Sequence, residues 1–135
     1  MRNLPDWHEI HTLIFDFDGV FTDNKVIIDE FGKESVVCSR EHGLGIDLIK
    51  KFSKENSWEL DLFILSKEKN CVVKKRAEKL RIKCYSGIDN KLQFIKNYLK
   101  EKFPGDFDSK RGIIYLGNDI NDLEAMLFVG HSVAP

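Results

Sequence analysis

The chain has 135 residues, a mass of 15.7 kDa and 42% apolar residues, enough for one domain to bury a core without disulfide or metal staples, which excludes disorder and the mini-protein class. With 21 basic against 22 acidic residues and a formal charge of -1, no broad cationic surface is available to hold nucleic acid non-specifically. Cys38, Cys71 and Cys84 are odd in number and form no CxxC pair, which argues against a disulfide framework or a zinc site and suits a reducing cytoplasm. Residues 1–11 carry Arg2, Asp6, Glu9 and two histidines, unlike a signal peptide, and no window approaches the roughly 18 apolar residues of a membrane span. Neither a nucleic-acid partner nor a membrane is expected.

Taken in order, the chain alternates short apolar runs with amphipathic segments. The first run, 13–15, reads as a buried strand. Residues 25–30 and 34–39 are both strand-like around Phe31-Gly32-Lys33, which predicts a β-hairpin flap over about 25–39. A helix beginning near Gly43 follows, with Leu44, Leu48, Ile49 and Phe52 on one face, then a strand over 62–65 and a helix with Val73, Ala77 and Leu80 inward. Leu92, Ile95 and Leu99 define a third helix, a polar surface loop spans 103–110, and a strand covers 113–116. Leu123, Met126 and Leu127 mark a fourth helical face before a weaker strand within 129–134. Each apolar helical face is expected to pack into the core. The alternation predicts one α/β domain over residues 1–135, a Rossmann-like three-layer α/β/α sandwich on a parallel sheet.

Asp16 and Asp18 end the first strand, and the two-residue period puts both carboxylates on one side with Phe17 pointing away. Two like charges at the end of a buried strand call for an intervening cation or a shared proton. A calcium loop of the EF-hand type does not fit, because Gly19 is fourth and Val20 fifth in the run. Ser66 follows the strand over 62–65, Lys91 precedes the third helix, and Gly117-Asn118-Asp119-Ile120-Asn121-Asp122 follows the strand over 113–116. Ser66 and the 117–122 segment lie at C-terminal strand ends, where open parallel sheets bind ligands.

The string Asp16-Phe17-Asp18-Gly19-Val20-Phe21-Thr22-Asp23 after Leu13-Ile14-Phe15 resembles motif one of the haloacid dehalogenase-like (HAD) phosphohydrolases. The resemblance implies that Asp16 attacks phosphorus and Asp18 is the general acid/base. It further implies that Ser66 and Lys91 hold the phosphoryl group, and that Mg²⁺ is bound by Asp16, Asp18 and the segment at 118–119. Relatives commonly carry an aspartate where Asn118 stands, so either Asn118, through its amide oxygen, or Asp119 completes the metal site. Asp122 then binds through water or orients the lysine; as a plain helix N-terminal acid it would equally be favoured by the dipole.

Only a hairpin separates Asp18 from the next helix, so no cap domain fits. The hairpin, Gly43-Leu44-Gly45-Ile46 and the terminal Val129-Gly130-His131-Ser132-Val133-Ala134 resemble the capless 3-deoxy-D-manno-octulosonate 8-phosphate phosphatases. The run from Ile64 to Asn70 and Arg76-Ala77-Glu78-Lys79-Leu80 are similar to the branch acting on nine-carbon sugar-acid 9-phosphates and to the phosphatase-like domain of acylneuraminate cytidylyltransferases. This implies a role in sialic acid or lipopolysaccharide sugar synthesis, with Glu68, Arg76 and Lys79 meeting the substrate, and a homotetramer built through the hairpin. Two other readings are a phosphatase-like domain kept for oligomerisation, and a receiver domain. The latter shares the fold class but separates its acid pair from its acceptor.

Overall fold

In the computed structural model, residues 5–135 are described. A single 3-10 turn at Trp7–Glu9, capped by the Asp6 carboxylate, leads into β1 (Thr12–Phe15). The hairpin strands β2 (Ile27–Ile28) and β3 (Glu34–Ser35) follow, then α1 (Glu41–Glu55), β4 (Asp61–Leu65), α2 (Cys71–Leu80), β5 (Lys83–Tyr85) and α3 (Lys91–Lys102). The chain closes with β6 (Ile113–Leu116), a 3-10 turn at Ile120–Asp122, α4 (Leu123–Phe128) and β7 (His131–Val133).

The main sheet is parallel, in the order β5-β4-β1-β6-β7. β1 is central: Thr12 pairs with Asp61 on one side and Ile113 on the other, and all four of its residues are buried. Its alternating side chains divide the core. Leu13 and Phe15 pack with Ile46 of α1 and Val73, Ala77 and Leu80 of α2, while Ile14 packs with Ile95 and Leu99 of α3 and Ala125 of α4. The architecture is the α/β/α sandwich expected from the sequence, with no helix long and apolar enough to cross a membrane among the described residues.

Local chemistry sets the element ends. Asn70 and Asn90 cap α2 and α3 by accepting the backbone N–H groups of Val72 and Gln93. Lys50 of α1 donates to the carbonyls of Leu80 and Arg81, both at 2.8 Å, satisfying the end of α2. At the sheet end opposite the aspartates, Asp61 accepts from Lys83, Tyr98 and Lys102, tying β4, β5 and α3 together.

Three features differ from the sequence reading. β5 has only three residues, with none fully buried, too short for periodicity to reveal. The hairpin ladder is also shorter than 25–39. The Asp29 carboxylate accepts from Phe31 and Lys33 N–H and fixes the turn, while Cys38 makes only a lone bridge to Thr22. Finally, two helical faces expected in the core stay in solvent: Leu44, Leu48 and Phe52 on α1, and Leu123 and Leu127 on α4. Ile114 and Leu116 of β6 are half-buried and Val133 is exposed, and of the α1 stripe Phe52 packs edge-on against Trp7 and Trp58 while Leu44 and Leu48 stay more than half exposed.

Two glycines of this framework give opposite expectations. A Cβ on Gly130 would lie 2.3 Å from the Arg111 carbonyl oxygen, backbone against backbone, so Gly130→Ala should cost about 2 kcal/mol or more. Gly45 lies inside α1 with open space around its Cα, so Gly45→Ala should add about 0.5–1 kcal/mol. Urea unfolding of both variants checks the pair; a Gly130→Ala midpoint at or above wild type would refute the packing described.

Candidate active site

The segments that follow β1 and β6 converge on one buried ammonium. Lys91, the first residue of α3, is only 4% exposed and donates to Asp16 Oδ1 at 2.7 Å and Asp122 Oδ1 at 2.6 Å. Asp16 directly follows β1, its backbone N–H donating to Leu116 O of β6. Asp122 is fully buried and also accepts from Tyr115 Oη at 2.7 Å and from the backbone N–H groups of Asn118 and Asp119. A Cβ at Gly117 would sit 2.7 Å from Asp122 Oδ2, so glycine there is what allows the carboxylate so near the backbone.

The two carboxylates share a cation but not its benefit. At Asp122 burial pushes the carboxyl up, yet the bonds from Lys91 and Tyr115 outweigh it and hold the group below the usual carboxylate range. At Asp16 burial dominates, Lys91 offsets only part of it, and the negative Asp122 adds to the rise, so the carboxyl is pushed up to about 6. Burial also holds the proton on the Tyr115 phenol.

Beyond Asp16 the chain turns sharply. Phe17 and Phe21 are buried beneath the turn, Phe21 N–H donates to Phe17 O at 2.9 Å, and Gly19 takes φ +79° with its N–H on Thr22 Oγ1. Gly19 is needed twice, for this left-handed backbone and because a Cβ there would run into the Asn118 side chain. Asn118 therefore lies directly against the Asp16–Asp18 turn. Asp119 instead turns its carboxylate to Ile120 N–H at 2.6 Å and takes part in a capping box with Asp122. Asp18 is half-buried, and its carboxyl is raised first by burial and then by the charge of Glu68.

Ser66 follows β4 and is buried, its N–H on Tyr85 O and its Oγ accepting from Glu68 N–H. A cavity of about 430 Å³ opens beside these groups, lined by Asp18, Lys67, Glu68, Lys69, Asp89 and Asn121. Arg76 and Lys79 are not among its lining residues. Arg76 donates to Ser39 O at 2.7 Å, pinning the return of the hairpin to α2, and Lys79 is exposed. The structure thus brings together Asp16, Asp18, Ser66, Glu68, Lys91, Asn118 and Asp122, with Asp119 beside them facing its own turn.

The sequence reading missed Tyr115 as the second donor to Asp122, though a tyrosine inside an apolar strand signals a hydroxyl in need of a partner. It also missed Lys67, Lys69 and Asp89, which as exposed charges on loops carry no pattern of their own.

Oxygen donors suit a hard divalent cation. Among the described residues no three Asp, Glu, His or Cys side chains cluster, so a cation site would rest on Asp16, Asp18 and the amide oxygen of Asn118, whose side chain packs on Gly19 through its amide nitrogen. The raised carboxyls of Asp16 and Asp18 fit such a cation, which would relieve the cost of their charge.

No family model matches the chain. Several solved structures do. A HAD family hydrolase from Streptomyces avermitilis is 39% identical at a TM-score of 0.84, over 98% of this chain and 70% of its own. A 3-deoxy-D-manno-octulosonate 8-phosphate phosphatase from Moraxella catarrhalis, in complex with a magnesium ion, a phosphate ion and KDO, is 26% identical at 0.78, over 95% and 68%. The cobalt-bound deoxy-D-mannose-octulosonate 8-phosphate phosphatase of Haemophilus influenzae is 25% identical at 0.76, over 95% and 70%. With this fold, the paired aspartates at the end of its central strand and that level of identity, the chain belongs to the HAD family of hydrolases.

Proposed function

We propose that this chain is a Mg²⁺-dependent phosphomonoesterase acting on a sugar-acid phosphate, 3-deoxy-octulosonate 8-phosphate or a nonulosonate 9-phosphate. The observation that carries the reading is the buried Lys91 shared by Asp16 and Asp122, with Asp18 two residues from the nucleophile. The likeness to the octulosonate phosphatases supports the substrate class.

In this reading the Asp16 carboxylate attacks phosphorus, the bond to the ester oxygen breaks, and Asp18 gives its proton to the departing oxygen. Asp18, now ionised, takes a proton from the water that attacks the aspartyl-phosphate, freeing Asp16 and inorganic phosphate. Ser66 Oγ and Lys91 Nζ hold the phosphoryl oxygens as charge builds. Mg²⁺ held by Asp16, Asp18 and Asn118, with Asp119 adjacent, would neutralise the phosphate dianion facing two carboxylates. Glu68 on the cavity wall binds sugar hydroxyls. Arg76 and Lys79, farther along α2, meet the sugar carboxylate where the substrate passes the hairpin base.

Chelation by EDTA should abolish turnover, and Asp16→Asn should do the same with the fold intact; an active Asp16→Asn enzyme would reject the assignment. Asn118→Asp should lower the Mg²⁺ concentration for half-maximal activity, since it adds an anionic oxygen beside the Asp16–Asp18 turn. Because the Asp16 carboxyl is raised to about 6 in the cation-free protein, protons should compete with the metal, and the Mg²⁺ requirement should climb as pH falls through about 6. Titrations at several pH values measure this; a flat requirement would contradict it.

We also place the hairpin at a subunit contact in a homotetramer. Val26, Ile27, Ile28 and Val37 are all more than half exposed and Phe31 is 88% exposed, and so short a ribbon is unstable uncovered. Light scattering should give a mass above that of the 15.7 kDa monomer, reduced by a Val26→Lys, Ile28→Lys double variant. The same apolar hairpin favours a second reading, a phosphatase-like domain kept to hold an acylneuraminate cytidylyltransferase oligomer together. Assembly without turnover on any sugar-acid phosphate would select it.

A further inference from the structure

A second concave site lies at the other end of the molecule. Between the last turn of α3, the loop that follows it and the end of α4 there is a groove of about 350 Å³. Its apolar surface comes from Leu99, Phe103, Phe107 and Phe128, and Lys96, Lys100 and Lys110 stand around it. Lys96 and Lys110 place their ammonium groups 5.5 and 5.1 Å from the centre of the Phe128 ring, approaching from α3 and from the loop. Among the described residues none of the three lysines has a carboxylate within ion-pair distance. Asp106 is the one acid lining the groove, and its carboxylate accepts from Asp108 N–H. Phe107 is 93% exposed at the rim, an aromatic ring held in water by a loop whose other aromatic, Phe103, is partly buried.

Three ammonium groups without counter-ions around an aromatic floor call for a ligand that is both flat and multiply anionic. An acyl chain would satisfy the floor but not charges spread over two elements, and inorganic phosphate would satisfy the charges but leave the rings wet. The room matches one small organic molecule rather than an extended peptide. We propose that this groove binds a nucleoside phosphate, its base against Phe107 and Phe128 and its phosphate oxygens on Lys96, Lys100 and Lys110. This site is separate from the aspartates and does not depend on the phosphatase reading. It sits at the C-terminal ends of α3 and α4, the two helices that start at Lys91 and directly after Asp122.

The test is a ¹H–¹⁵N titration of the full chain in EDTA with ADP, pyrophosphate and adenosine as separate probes. The expected result is saturable ADP shifts at the amides of Lys96, Lys100, Phe107, Lys110 and Phe128, with pyrophosphate about ten-fold weaker and adenosine weaker still. A Lys96→Gln, Lys110→Gln variant and a Phe107→Ser variant change groups that are exposed, or in Lys110 half-buried, and should keep the wild-type melting profile while weakening ADP about ten-fold. Pyrophosphate binding as tightly as ADP would overturn the nucleoside assignment. ADP shifts confined to residues 16–18, 66–69 and 117–122, no shifts at millimolar ADP, or unchanged affinity in both variants would overturn the site.

Discussion

Everything at this site rests on one desolvated ammonium. An unpaired charge buried as deeply as Lys91 would destabilise its surroundings, and a single carboxylate would barely repay the cost of removing both charges from water. Two carboxylates are present and they are not equivalent. Asp122, with four donors from Lys91, Tyr115 and two backbone amides, is the permanent counter-ion. Asp16 takes the remaining share and is left under-stabilised as an anion. The asymmetry keeps the charge of Asp16 unspent in folding, which suits the role of nucleophile and cation ligand proposed for it.

The scaffold serves this inequality. β1 is flanked on both sides by parallel neighbours, so Asp16 leaves it at the middle of the sheet rather than at an edge, between the ends of β4 and β6. The chain reaches Lys91 through the capped start of α3 and Asp122 through a 3-10 turn that opens α4, so helices on one face deliver both partners. The opposite face, carrying α1 and α2, delivers Ser39 to Arg76 and so fixes the hairpin base. The cavity walls themselves come from the segments after β1 and β4, from Asp89 before α3 and from Asn121 before α4.

How much of this was legible depends on the range of the forces involved. Central strands such as 12–15, buried at every residue, and 113–116, buried at alternate ones, announce themselves as apolar runs, and glycine- and aspartate-rich segments after them mark the site because those residue types suit tight turns and charge. The inward faces of α2 and α3 were also readable, since Val73, Ala77, Leu80, Ile95 and Leu99 are buried as their spacing implies. The stripe on α1 misled because periodicity reports that a face is apolar, not how far a neighbour covers it; Leu44, Leu48 and Phe52 obey the pattern yet stay exposed, Phe52 meeting the edges of Trp7 and Trp58. β5 escaped notice because three residues at a sheet edge hold too little pattern, and the bond from Tyr115 to Asp122 because it depends on which face of β6 meets α4.

The strand order has a consequence for how the chain is made. β1 emerges from the ribosome first among the strands of the main sheet, yet its two partners are about 50 and about 100 residues away, at Asp61–Leu65 and Ile113–Leu116. Loop closure over such separations is slow, so during synthesis the most deeply buried strand must wait, one flank satisfied by β4 and the other open until β6 clears the exit tunnel. At a synthesis rate of about 5–20 residues per second that interval lasts several seconds. Throughout it Phe15, Phe17 and the unfinished carboxylate pair are available to chaperones. The nascent chain therefore acquires its lysine clamp, and with it any capacity to handle a phosphate, only once Asp122, about 100 residues after Asp16, has been added.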